Sequence, residues 1–144
     1  MKTADTTKPL RENRGEPSKR ANTILIVEDE TLLAWSMANA LKRAGYETVV
    51  VDSGEKAVQL LPGSRFSAVI TDIKLPAING FDVAAAVKEL SAAIPVVIIS
   101  ALDDDGSRRS ILESHADRFL EKPFDLSDLS RTVEALVSAH PSGL

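Results

Sequence analysis

The chain has 144 residues, of which 44% are hydrophobic and 26% are charged, and its formal net charge is −4. Length and composition together predict one globular domain. The sequence contains no cysteine, which excludes disulfides, thiol catalysis and cysteine-based zinc sites. It also lacks both an apolar run long enough to cross a membrane and the apolar core of a secretory signal. We therefore expect a cytoplasmic protein that does not contact membranes.

The first 22 residues differ in charge from the rest of the chain. They carry a balance of +3, whereas residues 23–144 carry −7. Leu10 is the one large aliphatic residue of this segment, which therefore buries too little apolar surface to offset its ordering entropy. We predict a flexible N-terminal tail over residues 1–22, with a basic arm for an acidic partner as the alternative. The acidic remainder repels phosphate backbones, which argues against direct binding of nucleic acid.

Strand-like and helix-like patterns alternate from Thr23 onward. Short runs rich in β-branched and other apolar residues predict five strands, at residues 24–27, 49–51, 68–70, 95–99 and 118–120. Segments that follow the strands predict five helices, at residues 33–44, 54–61, 80–90, 103–114 and 126–137. The helix over 103–114 is polar, and we expect it to be weakly packed.

This alternation predicts an α/β fold. Strands that are apolar on both faces fit a parallel sheet covered by helices on both sides, and right-handed crossovers restrict the options to a doubly wound arrangement. In such folds the chemistry lies at the carboxyl ends of the strands. The residues that directly follow the predicted strands are Glu28, Asp29, Glu30, Asp52, Asp72, Ser100 and Lys122.

Three of these acids point to a metal site. Glu28, Asp29 and Asp72 converge if the first and third strands are neighbours. Three anions in one small cleft repel each other unless a cation joins them, and oxygen ligands without histidine or cysteine favour Mg²⁺. The alternative is that acids at strand ends only cap the helices that follow.

Four short motifs follow the strand ends in order. They are Glu28-Asp29, then Asp72 with Leu75-Pro76 and Gly80, then Ser100-Ala101, and finally Lys122-Pro123-Phe124. In this order and spacing, residues 23–140 resemble the receiver domain of two-component response regulators. The resemblance implies a five-stranded flavodoxin-like sheet with strand order 2-1-3-4-5 and five helices. It leaves residues 141–144 as the C-terminal end.

The resemblance also implies roles for the residues at the strand ends. Asp72 is then the phosphoacceptor, Glu28 and Asp29 bind Mg²⁺ with it, and the backbone carbonyl of Lys74 completes the metal ligands. Ser100 bonds a phosphoryl oxygen. Lys122 pairs with the phosphoryl group, and its bond to the following proline is cis in relatives. The chemistry agrees, because phosphoryl transfer needs a nucleophile, a metal and a cation for the equatorial oxygens.

A conformational switch is the next implication. Phe119 matches the switch aromatic of the family, so that Ser100 moves toward the phosphoryl group and vacates space for the ring of Phe119. A plain core aromatic is the alternative for Phe119. The partners implied are a sensor histidine kinase or histidine phosphotransfer protein and a downstream protein target.

Little of the sequence follows the last predicted helix. We therefore expect a stand-alone regulator that is a phosphoacceptor rather than an enzyme, although it catalyses its own phosphorylation and dephosphorylation. The main alternative is a pseudo-receiver that binds partners without phosphorylation.

Four positions depart from the family pattern. Glu28 is one methylene longer than the usual aspartate, so we expect it to act through water. The side chain of Lys74 is expected at the pocket rim, paired with Glu28 or the phosphoryl group. Ala77 and His115 stand where glycine is usual, and we predict a left-handed backbone at His115, which histidine tolerates better than most residues.

A second stripe on the first helix lies beside the core stripe. It is formed by Leu32, Trp35, Ser36 and Asn39. An exposed tryptophan is enriched at binding hot spots, and the helix begins next to the acidic pair. We predict that this stripe docks the histidine donor. The alternative is that Trp35 folds back as a partly buried core residue.

Two other function classes fit less well. A phosphatase of the haloacid dehalogenase type needs a second carboxylate two residues after its nucleophile, where this chain has Lys74. A flavodoxin-like cofactor binder needs a phosphate loop after the first strand, where Glu28, Asp29 and Glu30 repel a phosphate.

Overall fold

Five parallel strands form one sheet in the computed structural model, which describes residues 22–101 and 114–139. The strands are β1 (Thr23–Val27), β2 (Glu47–Val51), β3 (Ala68–Asp72), β4 (Val96–Ser100) and β5 (Arg118–Glu121). Their order across the sheet is β2-β1-β3-β4-β5, and every neighbouring pair is parallel. The predicted fold class and strand order are confirmed.

Four helices lie within the described residues. They are α1 (Thr31–Arg43), α2 (Gly54–Leu60), α3 (Gly80–Leu90) and α4 (Leu126–Ala139). The helix predicted over 103–114 lies outside the described residues except for Ser114. The same holds for the predicted tail apart from Asn22, and for residues 141–144.

The sheet separates two apolar cores. On one face, strand residues such as Ile24 and Ile70 pack with side chains of α1 and α4. On the other face, residues such as Leu25 and Val69 pack with side chains of α2 and α3. Every residue of β3 and β4 is buried, whereas the edge strands β2 and β5 are partly exposed. The expectation of strands apolar on both faces therefore holds for the centre of the sheet, because helices cover only that part on both sides.

Helix boundaries follow from local sequence signals. The helix α1 presents Met37 and Leu41 to the core, and the chain turns at Gly45 with φ 104°. The helix α3 begins with a capping box, in which Asn79 and Asp82 each accept a hydrogen bond from the backbone N–H of the other.

One backbone prediction is wrong. The non-glycine residue with positive φ in the described part of the chain is Ala77, at 63°, and His115 does not adopt this conformation. The left-handed residue therefore lies in the loop between β3 and α3, where that loop turns back toward the helix.

None of the helices in the described ranges is both long and apolar enough to span a membrane.

Candidate active site at the carboxyl ends of the strands

Three carboxylates meet where the central strands end. Asp72 is the last residue of β3, and Glu28 and Asp29 directly follow β1, the neighbouring strand. One carboxylate oxygen from each residue lies within 4.8 Å of the corresponding oxygens of the other two. The convergence predicted from the sequence follows from the register, which pairs Val27 with Thr71 and so brings the next residues of both strands side by side.

Glu28 is the buried member of this group. Its side chain is only 1% exposed, and its Oε2 accepts a hydrogen bond from the backbone N–H of Glu30 at 3.0 Å. Its Oε1 is buried and has no hydrogen-bond partner within the described ranges. Burial, together with the negative charge of Asp72, raises the pKa of Glu28 to about 7 against the opposing effects of the Glu30 N–H and Lys122. Burying an acceptor without a hydrogen bond is costly, so this oxygen marks a position for a ligand.

Asp72 lies at the floor of the cleft. It is 7% exposed, and its two oxygens have different partners. Oδ1 accepts a hydrogen bond from the backbone N–H of Lys74 at 3.3 Å, and Oδ2 accepts one from Nζ of Lys122 at 2.8 Å. Asp29 and Lys74 are exposed, so the cleft opens to solvent on their side.

Lys122 joins two of the acids. Its Nζ lies 2.8 Å from Oδ2 of Asp72 and 3.8 Å from Oε1 of Glu28. Burial lowers the pKa of Lys122, but the hydrogen bond and charge of Asp72 and the charges of Glu28 and Glu30 outweigh it and raise that pKa. The lysine is therefore held as a cation. Its backbone N–H donates to the carbonyl of Ser100 at 2.8 Å, and its bond to Pro123 is cis, as the resemblance implied.

The two predicted switch residues lie on adjacent strands. Ser100 is the buried last residue of β4 and pairs in register with Glu121 of β5. Phe119 is half-buried on β5, pairs with Ile98, and packs against the core formed with α2 and α3. This position is compatible with both the switch role and the plain core role.

Two glycines let the loop after β3 pass close to its neighbours. A Cβ on Gly80 would lie 2.1 Å from the carbonyl oxygen of Asp72, and a Cβ on Gly54 would lie 2.5 Å from the carbonyl oxygen of Ile78. Any side chain at either position would displace this loop, which carries Lys74 and Ala77. In the sequence, Gly80 was recognisable only as a motif residue, and the close contact of Gly54 was not predicted. Its position immediately after the N-cap Ser53 was the available signal.

The predicted docking stripe lies at the surface of α1. Leu32 is 70% exposed and Trp35 is 64% exposed, whereas Ser36 and Asn39 are half-buried. Trp35 is therefore not covered by α2, and the alternative that it packs against the N-terminal tail lies outside the described residues. A groove of about 550 Å³ adjoins the stripe and is lined by Leu33, Ser36, Lys122, Pro123, Phe124 and Leu126.

The donor set fits a hard divalent cation. Three carboxylates offer oxygen atoms that are close enough to share one ion, and one of these residues has a buried oxygen without a hydrogen bond. Oxygen-only ligands with an open, solvated side are typical of Mg²⁺ sites in phosphoryl-transfer proteins. The ammonium of Lys122 contacts two of the three carboxylates, and a dication would balance the remaining negative charge of the cleft.

Comparison with known proteins gives a consistent result. A sequence model described as the response regulator receiver domain matches residues 24–134. The transcriptional regulatory protein TcrA of Mycobacterium tuberculosis is 35% identical over 118 residues, which are 82% of this chain and 47% of TcrA. The chain thus spans about half the length of the curated relatives it matches.

Solved structures have the same fold. The receiver domain of a signal transduction histidine kinase from Syntrophus aciditrophicus is 32% identical, with a TM-score of 0.78, and the match covers 82% of this chain and 91% of that one. The receiver domain of the sensor histidine kinase PA1611 from Pseudomonas aeruginosa is 24% identical, with a TM-score of 0.75 and coverage of 81% and 98%. That structure is described as having a magnesium ion coordinated in its active-site cleft.

Proposed function

We propose that this chain, which belongs to the response regulator receiver domain family, accepts a phosphoryl group on Asp72 from a phosphohistidine. The donor is a sensor histidine kinase or a histidine phosphotransfer protein. The observation that carries the proposal is the position of Asp72, whose carboxylate is held between the ammonium of Lys122 at 2.8 Å and the acids that follow β1. A nucleophile beside a cation and a metal-type donor set is the arrangement that phosphoryl transfer needs.

The chain's own residues perform the transfer as follows. An oxygen of Asp72 forms a bond to phosphorus while the P–N bond of the phosphohistidine breaks, and the imidazole leaves with the electron pair. Lys122 remains against the reacting carboxylate and pairs with the phosphoryl oxygens as charge builds on them. Ser100, buried at the end of β4, donates its hydroxyl to one of these oxygens.

Mg²⁺ is the cofactor we propose. Glu28, Asp29, Asp72 and the backbone carbonyl of Lys74 would hold it. When bound, it supplies the positive charge that offsets repulsion between the carboxylates and an incoming phosphoryl group. The site catalyses phosphorylation and dephosphorylation of its own aspartate, and in this proposal the chain is not an enzyme acting on a separate substrate.

A population shift converts phosphorylation into a signal. Ser100 moves toward the phosphoryl group and Phe119 takes the space that it leaves, so that the surface along β5 and α4 changes shape. A downstream protein target binds this surface. We also propose that the signal is passed on by binding to this protein target and not by direct binding of nucleic acid or membrane. The proposed location is the cytoplasm. Residues 23–140 are the receiver domain in this proposal.

Phosphorylation is tested by intact mass. The protein is incubated with Mg²⁺ and acetyl phosphate or phosphoramidate, and the wild type is expected to gain one phosphoryl group. Asp72→Asn is expected to gain none, whereas Asp52→Asn is the matched control, because Asp52 also follows a strand but is exposed and pairs with Lys56. An unchanged mass for the wild type would contradict the proposal and is the behaviour expected of a pseudo-receiver.

The histidine donor docks on α1 in this proposal. Leu32 and Trp35 are exposed beside the cleft, and Ser36 belongs both to their stripe and to the groove that reaches Lys122. Together with Asn39 they give an apolar contact surface with polar neighbours next to the phosphoacceptor. Such a surface suits a partner helix that carries its histidine into the cleft.

Trp35→Ala tests the docking role. Transfer from the cognate protein donor is expected to slow about tenfold, equivalent to about 1.4 kcal/mol, while phosphorylation by acetyl phosphate stays nearly unchanged because a small donor needs no docking surface. Leu90→Ala is the matched control, since Leu90 is 49% exposed at the end of α3. Equal slowing with both donors would show that Trp35 is structural.

A further inference from the structure

Thr71 is a buried polar residue next to the phosphoacceptor. It is 0% exposed and directly precedes Asp72 on β3. Its neighbours two positions away, Val69 and Ile73, belong to the core that packs on α2 and α3, and side chains two apart on a strand share a face. The hydroxyl of Thr71 therefore lies in an apolar layer that a valine would fill equally well without a polar group.

This hydroxyl bonds to the main chain of the reacting residue. Oγ1 of Thr71 donates to the carbonyl oxygen of Asp72 at 2.9 Å. The bond satisfies a hydroxyl that would otherwise be buried without a partner. It also fixes the orientation of the peptide group that joins Asp72 to Ile73.

The same stretch of backbone is held from two further sides. The carbonyl oxygen of Asp72 lies so close to Gly80 that a Cβ there would be 2.1 Å away. The N–H of Gly80 donates to the carbonyl of Ile73 at 2.9 Å, and the N–H of Ile73 donates to the carbonyl of Ile99 at 3.1 Å. The peptide after Asp72 is thus fixed by the side chain of Thr71, by the start of α3 and by β4.

Orientation of this peptide determines where the reactive atoms lie. The backbone N–H of Lys74, two residues further on, donates to Oδ1 of Asp72 at 3.3 Å, so the loop contacts the carboxylate directly. We propose that Thr71 is a positioning residue for phosphorylation, acting through its hydroxyl bond to the Asp72 carbonyl. The inference rests on the proposed role of Asp72 as phosphoacceptor and extends it to a residue that touches neither the donor nor the metal site.

Misplacement of the carboxylate would slow transfer, because the reacting atoms must lie close together and aligned for the chemical step. Thr71→Val keeps the shape of the side chain and removes the hydroxyl. Its rate of phosphorylation by acetyl phosphate is expected to fall about tenfold, with a melting temperature within a few degrees of the wild type. Thr71→Ser keeps the hydroxyl and removes a buried methyl group, so its melting temperature is expected to fall while its rate stays near that of the wild type.

The two variants separate positioning from simple structural support. If Thr71 served only to fill the core, the less stable serine variant would be the slower one. A second measurement follows the amide resonance of Lys74, which is expected to shift in Thr71→Val and to stay near its wild-type position in Thr71→Ser. A wild-type rate in Thr71→Val, or equal slowing in both variants, would overturn the inference.

The result also distinguishes this inference from the proposed function. Failure of the wild type to accept a phosphoryl group would overturn the phosphoacceptor role itself. In that case the amide resonance of Lys74 still tests whether Thr71 orients this backbone. An unshifted resonance in Thr71→Val would show that it does not.

Discussion

Two lysine–aspartate pairs lie at opposite ends of the same sheet and differ in what surrounds them. At the amino end, Nζ of Lys88 lies 2.7 Å from Oδ2 of Asp117, which precedes β5. At the carboxyl end, Nζ of Lys122 lies 2.8 Å from Oδ2 of Asp72. Both lysines are mostly shielded from solvent, at 15% and 27% exposure, so pair geometry and burial alone do not distinguish them.

The difference is in how completely the charges are satisfied. Lys88 also donates to the carbonyls of Ile94 at 2.6 Å and Ala92 at 3.3 Å, and Oδ2 of Asp117 accepts the N–H of Val96 at 2.8 Å as well. Protein groups alone therefore satisfy the charged atoms of the amino-end pair.

At the carboxyl end Lys122 contacts two of the three clustered carboxylates, and Oε1 of Glu28 has no hydrogen bond within the described ranges. The amino-end pair, whose charged atoms have hydrogen-bond partners within the protein, stabilises the fold. The carboxyl-end pair, beside a buried oxygen that lacks such a partner, forms a binding site. Four predictions test this comparison, two on phosphorylation and then two on stability, and each pair begins with the larger expected effect.

Asp29→Asn is expected to have the largest effect on phosphorylation. Asp29 is the exposed acid of the cluster, and removing its charge takes away a ligand that a cation reaches from solvent. Mg²⁺ binding and phosphorylation are both expected to fall by about a hundredfold or more, equivalent to about 2.7 kcal/mol. A magnesium titration followed by NMR amide shifts measures the first. Retained Mg²⁺ affinity would show that Asp29 is not a ligand.

Lys122→Ala is expected to separate phosphorylation from the switch. Some phosphorylation should remain, because Asp72 and the metal ligands are unchanged, but the cation that ties the phosphoryl group to the end of β5 is lost. Amide shifts around Phe119 on phosphorylation are expected to shrink strongly. Lys56→Ala is the control, since Lys56 pairs with the exposed Asp52 at another strand end. Identical shifts in Lys122→Ala and the wild type would contradict the coupling role.

Lys88→Met is expected to affect stability without affecting chemistry. The substitution keeps a long apolar stem but leaves Asp117 and two carbonyls without their donor, at a cost of about 3 kcal/mol of unfolding free energy. Urea denaturation measures this cost, and phosphorylation of the folded variant is expected at the wild-type rate. If Lys88→Met lost phosphorylation while remaining folded, the distinction between the two ends of the sheet would fail.

The pH dependence of stability reports on Glu28. Its pKa rises from 4.5 to about 7 on folding, chiefly through burial. The folded state therefore binds more protons than the unfolded state between these values, so stability falls as pH rises from about 4.5 to 7 in the absence of metal. We expect Glu28→Gln to remove about 2 kcal/mol of this fall.

Urea denaturation with a chelator at pH 5 and pH 8 measures the effect. Adding Mg²⁺ is expected to stabilise the wild type more at pH 8, where Glu28 is ionised. The same pH dependence in the wild type and in Glu28→Gln would show that this carboxyl does not carry the effect.

The sequence allowed the sheet and the members of the cleft to be predicted. Apolar runs indicated five strands, and Asp72 at the end of one of them was expected beside Glu28 and Asp29 on the condition that the first and third strands are neighbours. Such predictions succeed because the carboxyl ends of parallel strands share one edge of the sheet. The strand order was predicted from the family resemblance. The observed pairing register then shows, residue by residue, which strands are neighbours.

Details that depend on the contacts of loops were not predicted. The left-handed residue is Ala77 and not His115, because the loop after β3 must pass Gly54 and Gly80 at close range. From the sequence, Glu28 was expected in the cleft because it is an acid at a strand end. Its burial was not predicted, because burial depends on how other residues pack around the side chain. The sequence did not predict a functional role for Thr71, because threonine is common in strands for its β-branched shape alone.

The boundary of the N-terminal segment also depends on contacts across the sheet. Asn22, which the sequence assigned to the tail, is 6% exposed, and its Oδ1 accepts a hydrogen bond from Oγ of Ser67 at 2.8 Å. Its carbonyl accepts the N–H of Glu47. These partners are 45 and 25 residues away, beyond the reach of local pattern.

Chemical trapping of the phosphorylated residue tests the central claim most directly. The protein is phosphorylated with acetyl phosphate and Mg²⁺ and then reduced with borohydride, which converts an aspartyl phosphate to homoserine. Peptide mass mapping is expected to find homoserine at position 72 in the wild type, and to find none at any position in Asp72→Asn. Homoserine at Asp29, Asp52 or another aspartate in place of Asp72, or its absence from the wild type, would contradict the account.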